Sequence, residues 1–387
     1  MISQSYAFLA TCARGFEPYL CEEIAALCTI HPEPASGCVL FEAPLEAGLQ
    51  TCLWSRIANK VEILIAECYA LRDEDIYALG TKLPLEPWFS PESTFCVRAH
   101  SSDPKFKNSL YLALKLKDGI VDQMRKRWGK RASIDTETPD VEITMRLSQR
   151  RARVYVELQG QPLNMRGYRR RQNEAPIRET LAASMIAASR WNPSHQAFID
   201  PMCGSGTFAI EAALMATQTP PGIQRHFGFE RWPAFPDFQH LWKELRCRAK
   251  ETSREARKRH HGHIQAMDID DAALDVAQNN AQTAGVSDLI DFRKADVLKL
   301  EVSNAAIVTN PPYGERITVG AYELPEFYYQ LGRVMRTCVD STLTIISTAA
   351  LLKKNLHMRP EMRIQTYNGP LECEVARYVL GKGTQHG

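Results

Sequence analysis

Gln196-Ala-Phe-Ile-Asp200-Pro-Met-Cys-Gly204-Ser-Gly206-Thr207 is the stretch on which the reading of the fold turns. A short apolar run ending in an acid predicts a buried strand, and the apolar residues over 207–217 predict a helix. The glycines between them let the backbone turn sharply and pass close to a ligand, while the helix N-terminus offers unpaired N–H groups. Working outward, the alternation continues. The pattern predicts strands at 265–269, 290–295, 305–310 and 342–347, and helices at 176–190, 272–284 and through 327–336. Two last strands close the chain at 363–367 and 376–380. Strands alternating with helices predict an α/β fold, a mostly parallel sheet wound on both faces. Residues 218–262, rich in Pro, Trp, Arg and His, read as an insertion.

The first 160 residues read differently. Alternating strands at 6–11, 38–42, 61–66, 94–99, 141–147 and 152–158, with helices at 15–24, 45–57 and 111–127, predict a small α+β region. Charge divides along the same line. Residues 1–103 carry 6 Lys/Arg against 14 Asp/Glu, residues 104–171 carry 17 against 7, and the remainder balances. A basic stretch inside a chain of net charge +2 points to a polyanion, nucleic acid above all, against the blander reading of a solvated charged face. Lys105, Lys107, Lys115, Lys117, Arg125, Lys126, Arg127, Lys130 and Arg131 are the candidates for phosphate contacts, which supply affinity and register rather than base specificity.

Composition narrows the class. At 387 residues, 44% hydrophobic and 24% charged, the chain is long enough for two or three domains with cores of their own. The 11 cysteines include no C-x-x-C pair, so free thiols in a reducing cytosol fit better than a zinc or disulfide framework. Neither a signal-peptide pattern nor a membrane-spanning apolar run is visible, and a cytoplasmic protein is expected. His260, His261 and His263 are flanked by Arg257-Lys-Arg and read as basic surface, with no metal expected.

The chemistry lies in four places. Asp200-Pro201-Met-Cys203-Gly204-Ser205-Gly206-Thr207 resembles the first motif of S-adenosylmethionine-dependent methyltransferases, in which the acid meets the methionine ammonium. A nicotinamide or flavin site competes, because G-x-G occurs there too. Asp268, closing the next strand, is placed to accept two ribose hydroxyls, and Asp296, following the third, to accept from an adenine amine. Each alone reads equally as a helix cap or surface charge. Asn310-Pro311-Pro312-Tyr313 closes the fourth strand and resembles the loop of methyltransferases acting on exocyclic or amide nitrogens. An exocyclic amine is a poor nucleophile because its lone pair is delocalised into the ring. The Asn310 amide oxygen and the Pro311 carbonyl can each accept one of its N–H groups and aim the lone pair at an electrophile. The prolines stiffen the loop, and Tyr313 can stack on a base. Gly314-Glu315-Arg316 extends this motif as structural support. Cys203 has no histidine nearby in sequence to act as its base, so it is not read as a nucleophile.

Taken in order, these motifs resemble the RlmL family of THUMP-domain ribosomal RNA guanine-N2 methyltransferases. Further segments carry the likeness: Thr11-Cys-Ala-Arg-Gly-Phe-Glu, Leu53-Trp-Ser-Arg-Ile-Ala, Lys117-Asp-Gly-Ile-Val-Asp, Leu163-Asn-Met-Arg-Gly-Tyr-Arg, Ala175-Pro-Ile-Arg-Glu-Thr-Leu-Ala-Ala and Asn368-Gly-Pro-Leu-Glu-Cys. The resemblance implies a ferredoxin-like subdomain over 1–45, a THUMP RNA-binding domain over 46–160, a linker over 161–175 and a Rossmann-like catalytic domain over 176–387. It also implies S-adenosylmethionine as cofactor, bound by Asp200, Pro201, Cys203, Gly204, Ser205, Gly206, Thr207, Asp268, Asp296 and Asn310. The partner implied is 23S ribosomal RNA or a large-subunit assembly intermediate, with neither membrane nor metal. Some relatives carry a second methyltransferase, RlmK, in the same chain; the sequence in hand implies only the RlmL-type activity. Transfer RNA guanine N2, adenine N6 of a nucleic acid, and a non-catalytic ribosome-assembly factor are the rival readings.

Overall fold

The computed structural model describes residues 4–169, 177–260, 262–313, 318–319 and 322–381. The chain forms two compact units. One comprises the N-terminal strand, Ile24–Leu163 and Arg225–Cys247; the other comprises Cys12–Glu23, Asn164–Gln224 and the chain from Arg248 onward.

Through residue 157 the elements run β1 (Ser5–Thr11), α1 (Glu17–Cys28), β2 (Glu33–Ala35), β3 (Cys38–Pro44), α2 (Leu45–Trp54), β4 (Lys60–Tyr69), α3 (Asp73–Gly80), β5 (Thr94–Ser101), α4 (Ser109–Trp128), β6 (Ser133–Ile134), β7 (Val141–Ser148) and β8 (Arg151–Glu157). All eight strands join one sheet in the order β2-β3-β1-β4-β8-β7-β5-β6. Because β4 pairs with β1 on one side and β8 on the other, hydrogen bonding is continuous through the two parts the sequence separated. Buried residues follow the period of two along β3, and Phe8 lies opposite Phe41 with the rings stacked at 4.9 Å.

The stretch read as an insertion is largely ordered structure. Within the first unit, Phe227, Phe229, Phe235, Phe238 and Trp242 form an aromatic cluster joined by Trp232, whose ring meets Trp88 at 4.8 Å. The Arg225 guanidinium donates to the carbonyls of Pro162 and Gln161 at 2.8 and 2.5 Å. Gly228 passes so near Gly160 that a Cβ there would sit 3.0 Å from that residue's nitrogen.

The second series is α5 (Glu179–Ser189), β9 (Ala197–Asp200), α6 (Thr207–Ala216), α7 (Gln239–Arg259, divided between the units), β10 (Ile264–Asp268), α8 (Asp271–Ala284), β11 (Ile290–Lys294), β12 (Ala305–Thr309), β13 (Thr318–Val319), β14 (Tyr322–Glu323), α9 (Leu324–Met335), β15 (Thr342–Ser347), α10 (Ala349–Asn355), β16 (Met362–Asn368) and β17 (Leu371–Val379). Seven strands form a sheet in the order β11-β10-β9-β12-β15-β17-β16, parallel except for β17, which runs antiparallel to both its neighbours. Phe198, Ile264, Ala266, Val308 and Ile346 face α5, α6 and α8. Their neighbours Ile199, Met267, Ile307 and Ile345 face α9. This is the Rossmann-like α/β domain expected, preceded by an α+β region. None of the eleven cysteines is joined in a disulfide. Among the described residues no helix is long and apolar enough to cross a membrane. Nor, among those residues, is a group of three or more His, Cys, Asp or Glu placed to hold a metal ion.

Phe229 is fully buried and touches five other aromatic rings, among them Phe235, Phe238 and Trp242. Phe229→Ala is expected to cost about 3–5 kcal/mol, the range for a large aromatic deleted from a packed core. Urea unfolding monitored by tryptophan fluorescence measures it, and a loss below about 1 kcal/mol would remove the cluster from the cooperative core.

Candidate active site

The sheet order reverses between β9 and β12, the position at which open α/β sheets receive ligands beyond their strand ends. Asp200 ends β9, Asp268 ends β10, and Asn310 follows β12 directly. The register Ala266↔Asp200 and Ile307↔Ile199 brings these three residues to the same edge.

The glycine loop between β9 and α6 is held from several sides. The Cys203 N–H donates to the Met267 carbonyl at 2.8 Å and the Gly204 N–H to Asp268 Oδ2 at 2.9 Å. Asn280 Nδ2 reaches the Ser205 carbonyl at 3.0 Å. Gly206, at φ +79°, lies so close to α8 that a Cβ would meet the Ala277 Cβ at 2.9 Å. Gly204, at φ +50°, has no atom within 4 Å of where its Cβ would stand, so the loop presents bare backbone to open space. Ser205 and Thr207 are buried with their hydroxyls 3.2 Å apart, and Pro201 is buried as well. Behind the loop, the Arg169 guanidinium donates to Thr207 Oγ1 at 2.7 Å and lies 3.5 Å from Glu179.

Asp200 is fully buried, and neither carboxylate oxygen has a hydrogen-bond partner among the described residues. Burial holds its pKa well above the usual carboxylate range, and the nearby Asp268 charge raises it further. The Met202 backbone N–H opposes the shift without reaching hydrogen-bond geometry. Burial likewise pushes the Cys203 thiol up, aided by Asp200 and Asp268, so no thiolate nucleophile forms there. Asp268 spends one oxygen on Gly204 and the other on the Asp270 N–H at 3.1 Å, and each keeps a second lone pair. Asp296 caps a 3₁₀ turn, accepting from the Leu298 N–H at 2.9 Å, the local role that competed in the sequence reading.

In the second loop the Asn310 Oδ1 is buried and unpartnered among the described residues. Pro311 is buried and Pro312 partly so. Two residues that sequence reasoning missed hold this loop. Tyr328 of α9, fully buried, donates to the Pro312 carbonyl at 3.2 Å, which leaves the Ser347 hydroxyl, 2.6 Å away, to donate to Tyr328. Asn368, ending β16, donates to the Tyr313 hydroxyl at 2.7 Å. Burial raises the Tyr313 phenol, and the Asn368 bond partly offsets the rise. The tyrosine is thus anchored through its hydroxyl, its ring half-buried against the core. Tyr328 carries no sequence signal of its own, and Asn368 opens a segment that carries the family likeness without showing its bond, because each acts through one atom brought in from a distant strand or helix. Residues 314–316 lie outside the described residues, as does His261.

The nine cations expected to meet phosphate lie on α4 or beside its ends, away from these loops in the chain. Four are ion-paired: Lys117 with Asp118, Arg125 with Asp122, Arg127 with Glu86 and Lys130 with Glu92. Lys105, Lys107, Lys115, Lys126 and Arg131 have no carboxylate partner among the described residues.

Comparison with known proteins follows the same division. A profile described as an RMKL-like methyltransferase domain matches residues 166–377, a THUMP domain profile 72–157 and an RlmL ferredoxin-like domain profile 7–62. Proteins named ribosomal RNA large subunit methyltransferase K/L are similar along nearly the whole chain. That of Psychromonas ingrahamii is 35% identical over 375 residues, 95% of this chain and 49% of the relative. That of Aliivibrio salmonicida is 36% identical over 386 residues, 98% and 54%. The chain therefore spans about half the length of the curated relatives it matches. Among solved structures, SMU.472, a putative methyltransferase crystallised with SAH, superposes with a TM-score of 0.86 at 27% identity, covering 99% of this chain and all of that one. A "predicted N6-adenine-specific DNA methylase" from Listeria monocytogenes gives 0.84 at 26% identity, covering 97% of each.

Removing the Tyr328 hydroxyl leaves the Pro312 carbonyl unpaired and frees the loop that carries Asn310. Tyr328→Phe and Asn368→Ala are each expected to lower single-turnover methyl transfer about tenfold, the effect of about 1.4 kcal/mol of lost positioning. Donor affinity, measured by fluorescence quenching, is expected to stay near wild type. An equal loss in donor affinity and rate would show that the two residues act on the whole domain rather than on the loop.

Proposed function

The chain belongs to the family of RMKL-like methyltransferase domains, and on that premise we propose that it transfers a methyl group from S-adenosylmethionine to the exocyclic N2 of a guanine in 23S ribosomal RNA. One observation carries the reading. Two buried acceptors without partners, Asp200 and Asn310, stand at the ends of adjacent strands on either side of the topological switch point. Buried polar atoms are ordinarily paired, so acceptors left unpaired at a ligand-binding edge are what a donor-bearing ligand would satisfy.

The residues present fit the cofactor. The bare backbone at Gly204 and the helix N-terminus of α6 accept a close-lying ligand; Asp200 suits an ammonium, Asp268 ribose hydroxyls and Asp296 an adenine amine. The loop segment Pro201, Cys203, Ser205, Gly206 and Thr207 shapes the rest of the cradle. When bound, the sulfonium supplies an electrophilic methyl group. Asn310 Oδ1 and the Pro311 carbonyl accept the two N–H groups of the target amine and oppose the positive charge that grows on its nitrogen during attack. Pro312 keeps the loop stiff, and Tyr313, held by Asn368, flanks the base. Asn310→Ala is expected to slow single-turnover transfer about 100-fold, the usual cost of removing one pre-aimed dipole.

The basic α4 region docks the RNA, either naked or within a large-subunit assembly intermediate, and a cytoplasmic location follows from that substrate. The relatives' names favour ribosomal RNA, whereas the Listeria protein's name keeps adenine N6 as the second reading. Incubation with labelled S-adenosylmethionine and unmodified 23S RNA, transfer RNA and DNA, followed by nucleoside analysis, decides between them. N2-methylguanosine in 23S RNA alone is expected. N6-methyladenine, or label confined to transfer RNA or DNA, overturns the substrate. Bound cofactor with no transfer to RNA or to isolated pre-ribosomal particles overturns the enzyme in favour of a binding factor.

Asp200 gives a pH prediction. With its pKa raised in the free protein, it keeps its proton to higher pH than a free carboxylate does, and a cationic ammonium would favour loss of that proton. Cofactor binding should therefore release a proton and tighten as pH rises through the Asp200 titration. Calorimetry in two buffers of different ionisation enthalpy measures the release, which Asp200→Asn should abolish. Identical heats in both buffers for the wild type would show that Asp200 is already ionised.

A further inference from the structure

The sequence treats nine cations around α4 as equivalent; the structure does not. Of the five in the second half of the helix and just beyond it, Arg125, Arg127 and Lys130 are neutralised by carboxylates, while Lys126 and Arg131 have no carboxylate partner among the described residues. The three before the helix and in its first two turns, Lys105, Lys107 and Lys115, have none either. Lys105 gives its ammonium to the Leu71 carbonyl and lies 5.8 Å from the centre of the Phe106 ring. The first turn of α4 contains no acid, so no charge opposes the positive end of its dipole, where Asn108 caps the Tyr111 N–H at 3.0 Å.

Apolar surface coincides with this charge. The helix buries Leu112, Ala113, Leu116, Ile120 and Met124 against its own unit, which accounts for its core-facing stripe. Leu110, Tyr111 and Leu114 lie outside that stripe and remain 72%, 40% and 44% exposed. Leu114 lies one turn from both others, at i+4 from Leu110 and i+3 from Tyr111, and the Lys115 ammonium stands 5.6 Å from the centre of the Tyr111 ring. An exposed ring and two leucines beside lysines without carboxylate partners match a ligand with both an aromatic face and a phosphate. Duplex RNA offers its phosphates but hides its bases. A protein partner would cover the leucines, yet would need its own acids for three lysines.

We propose that the first two turns of α4 bind an unpaired RNA nucleotide, with its base against Tyr111, Leu110 and Leu114 and its flanking phosphates on Lys105, Lys107 and Lys115. The proposal rests on the RNA reading given above and narrows it to a single-stranded feature of the substrate, separate from the methylated base. Stacking on Tyr111 tolerates any base, so this contact supplies register rather than sequence choice.

Fluorescence anisotropy on the full chain, with a labelled single-stranded RNA and a blunt duplex of equal length, tests it. The wild type should prefer the single strand. Tyr111→Ala should weaken single-strand binding five- to twentyfold with little effect on the duplex, while Tyr111→Phe should bind like wild type. Lys107→Gln with Lys115→Gln should lower the slope of log affinity against log salt by about 1.4, whereas Arg125→Gln with Lys130→Gln should leave it nearly unchanged. Circular dichroism melting confirms that each variant is folded. Wild-type single-strand affinity in Tyr111→Ala overturns the proposal and leaves the catalytic reading standing. So does the finding that Leu110→Ala with Leu114→Ala abolishes a concentration-dependent self-association while RNA affinity is unchanged, since the patch would then be a contact between copies. A wild type that binds no RNA in any form would overturn the RNA reading itself.

Discussion

Parallel pairing of β10, β9 and β12 is the constraint from which the site follows. Parallel strands place their C-terminal ends on one side of the sheet, and the observed register makes those ends level. Asp268, Asp200 and Asn310 therefore converge although they are separated by dozens of residues in sequence. The strand order reverses at β9, so the loops after β9 and β12 part to opposite sides and leave a crevice between them. Without that reversal the crossover after one strand would cover the end of the next.

The glycine loop shows how tightly such an edge is specified. Gly206 approaches Ala277 to a distance at which no side chain fits, while Gly204 faces open space. The two glycines serve different ends, one for packing of α6 against α8 and the other for access to backbone. Asp268 joins these functions, since its carboxylate both faces the ligand edge and fixes the Gly204 amide. On the function proposed, losing it would disturb loop and binding together, which makes it a poor probe of either alone.

Much of this was legible because the decisive residues lie together in sequence. Asp200 to Thr207 and Asn310 to Tyr313 are contiguous motifs at strand ends, and apolar alternation locates the strands without tertiary information. What escaped the reading depends on distant pairings. Tyr328 and Asn368 look like an ordinary core aromatic and a turn residue until the fold brings each within bonding distance of the second loop. The region over 218–262 escaped for a different reason. Phe238, Trp242, Leu245 and Ala249 are all buried and recur at helical spacing, so the signal for α7 was present. Neighbouring prolines and the density of Arg and His obscured it, because turn-forming composition and helical periodicity overlap there. The nine cations illustrate a third limit: sequence counts charges, whereas only the structure shows which are already spent on Glu86, Glu92, Asp118 and Asp122.

Asp200 and Asn310 carry an energetic cost that the fold does not recover alone. A buried polar atom without a partner destabilises by about 1–3 kcal/mol, and a buried carboxylate by more unless it stays protonated. Such a cost is removable, since an apolar residue of similar shape would satisfy the strand end equally well. Its presence at both sides of the switch point, and in the loop that Tyr328 and Asn368 immobilise, distributes the penalty where a ligand would relieve it. The acceptors are aimed before any donor arrives, so binding need not pay for their reorganisation. The same stiffness explains why the loop is held through atoms that touch no ligand: an acceptor can orient an amine only if it cannot itself turn away to find another partner.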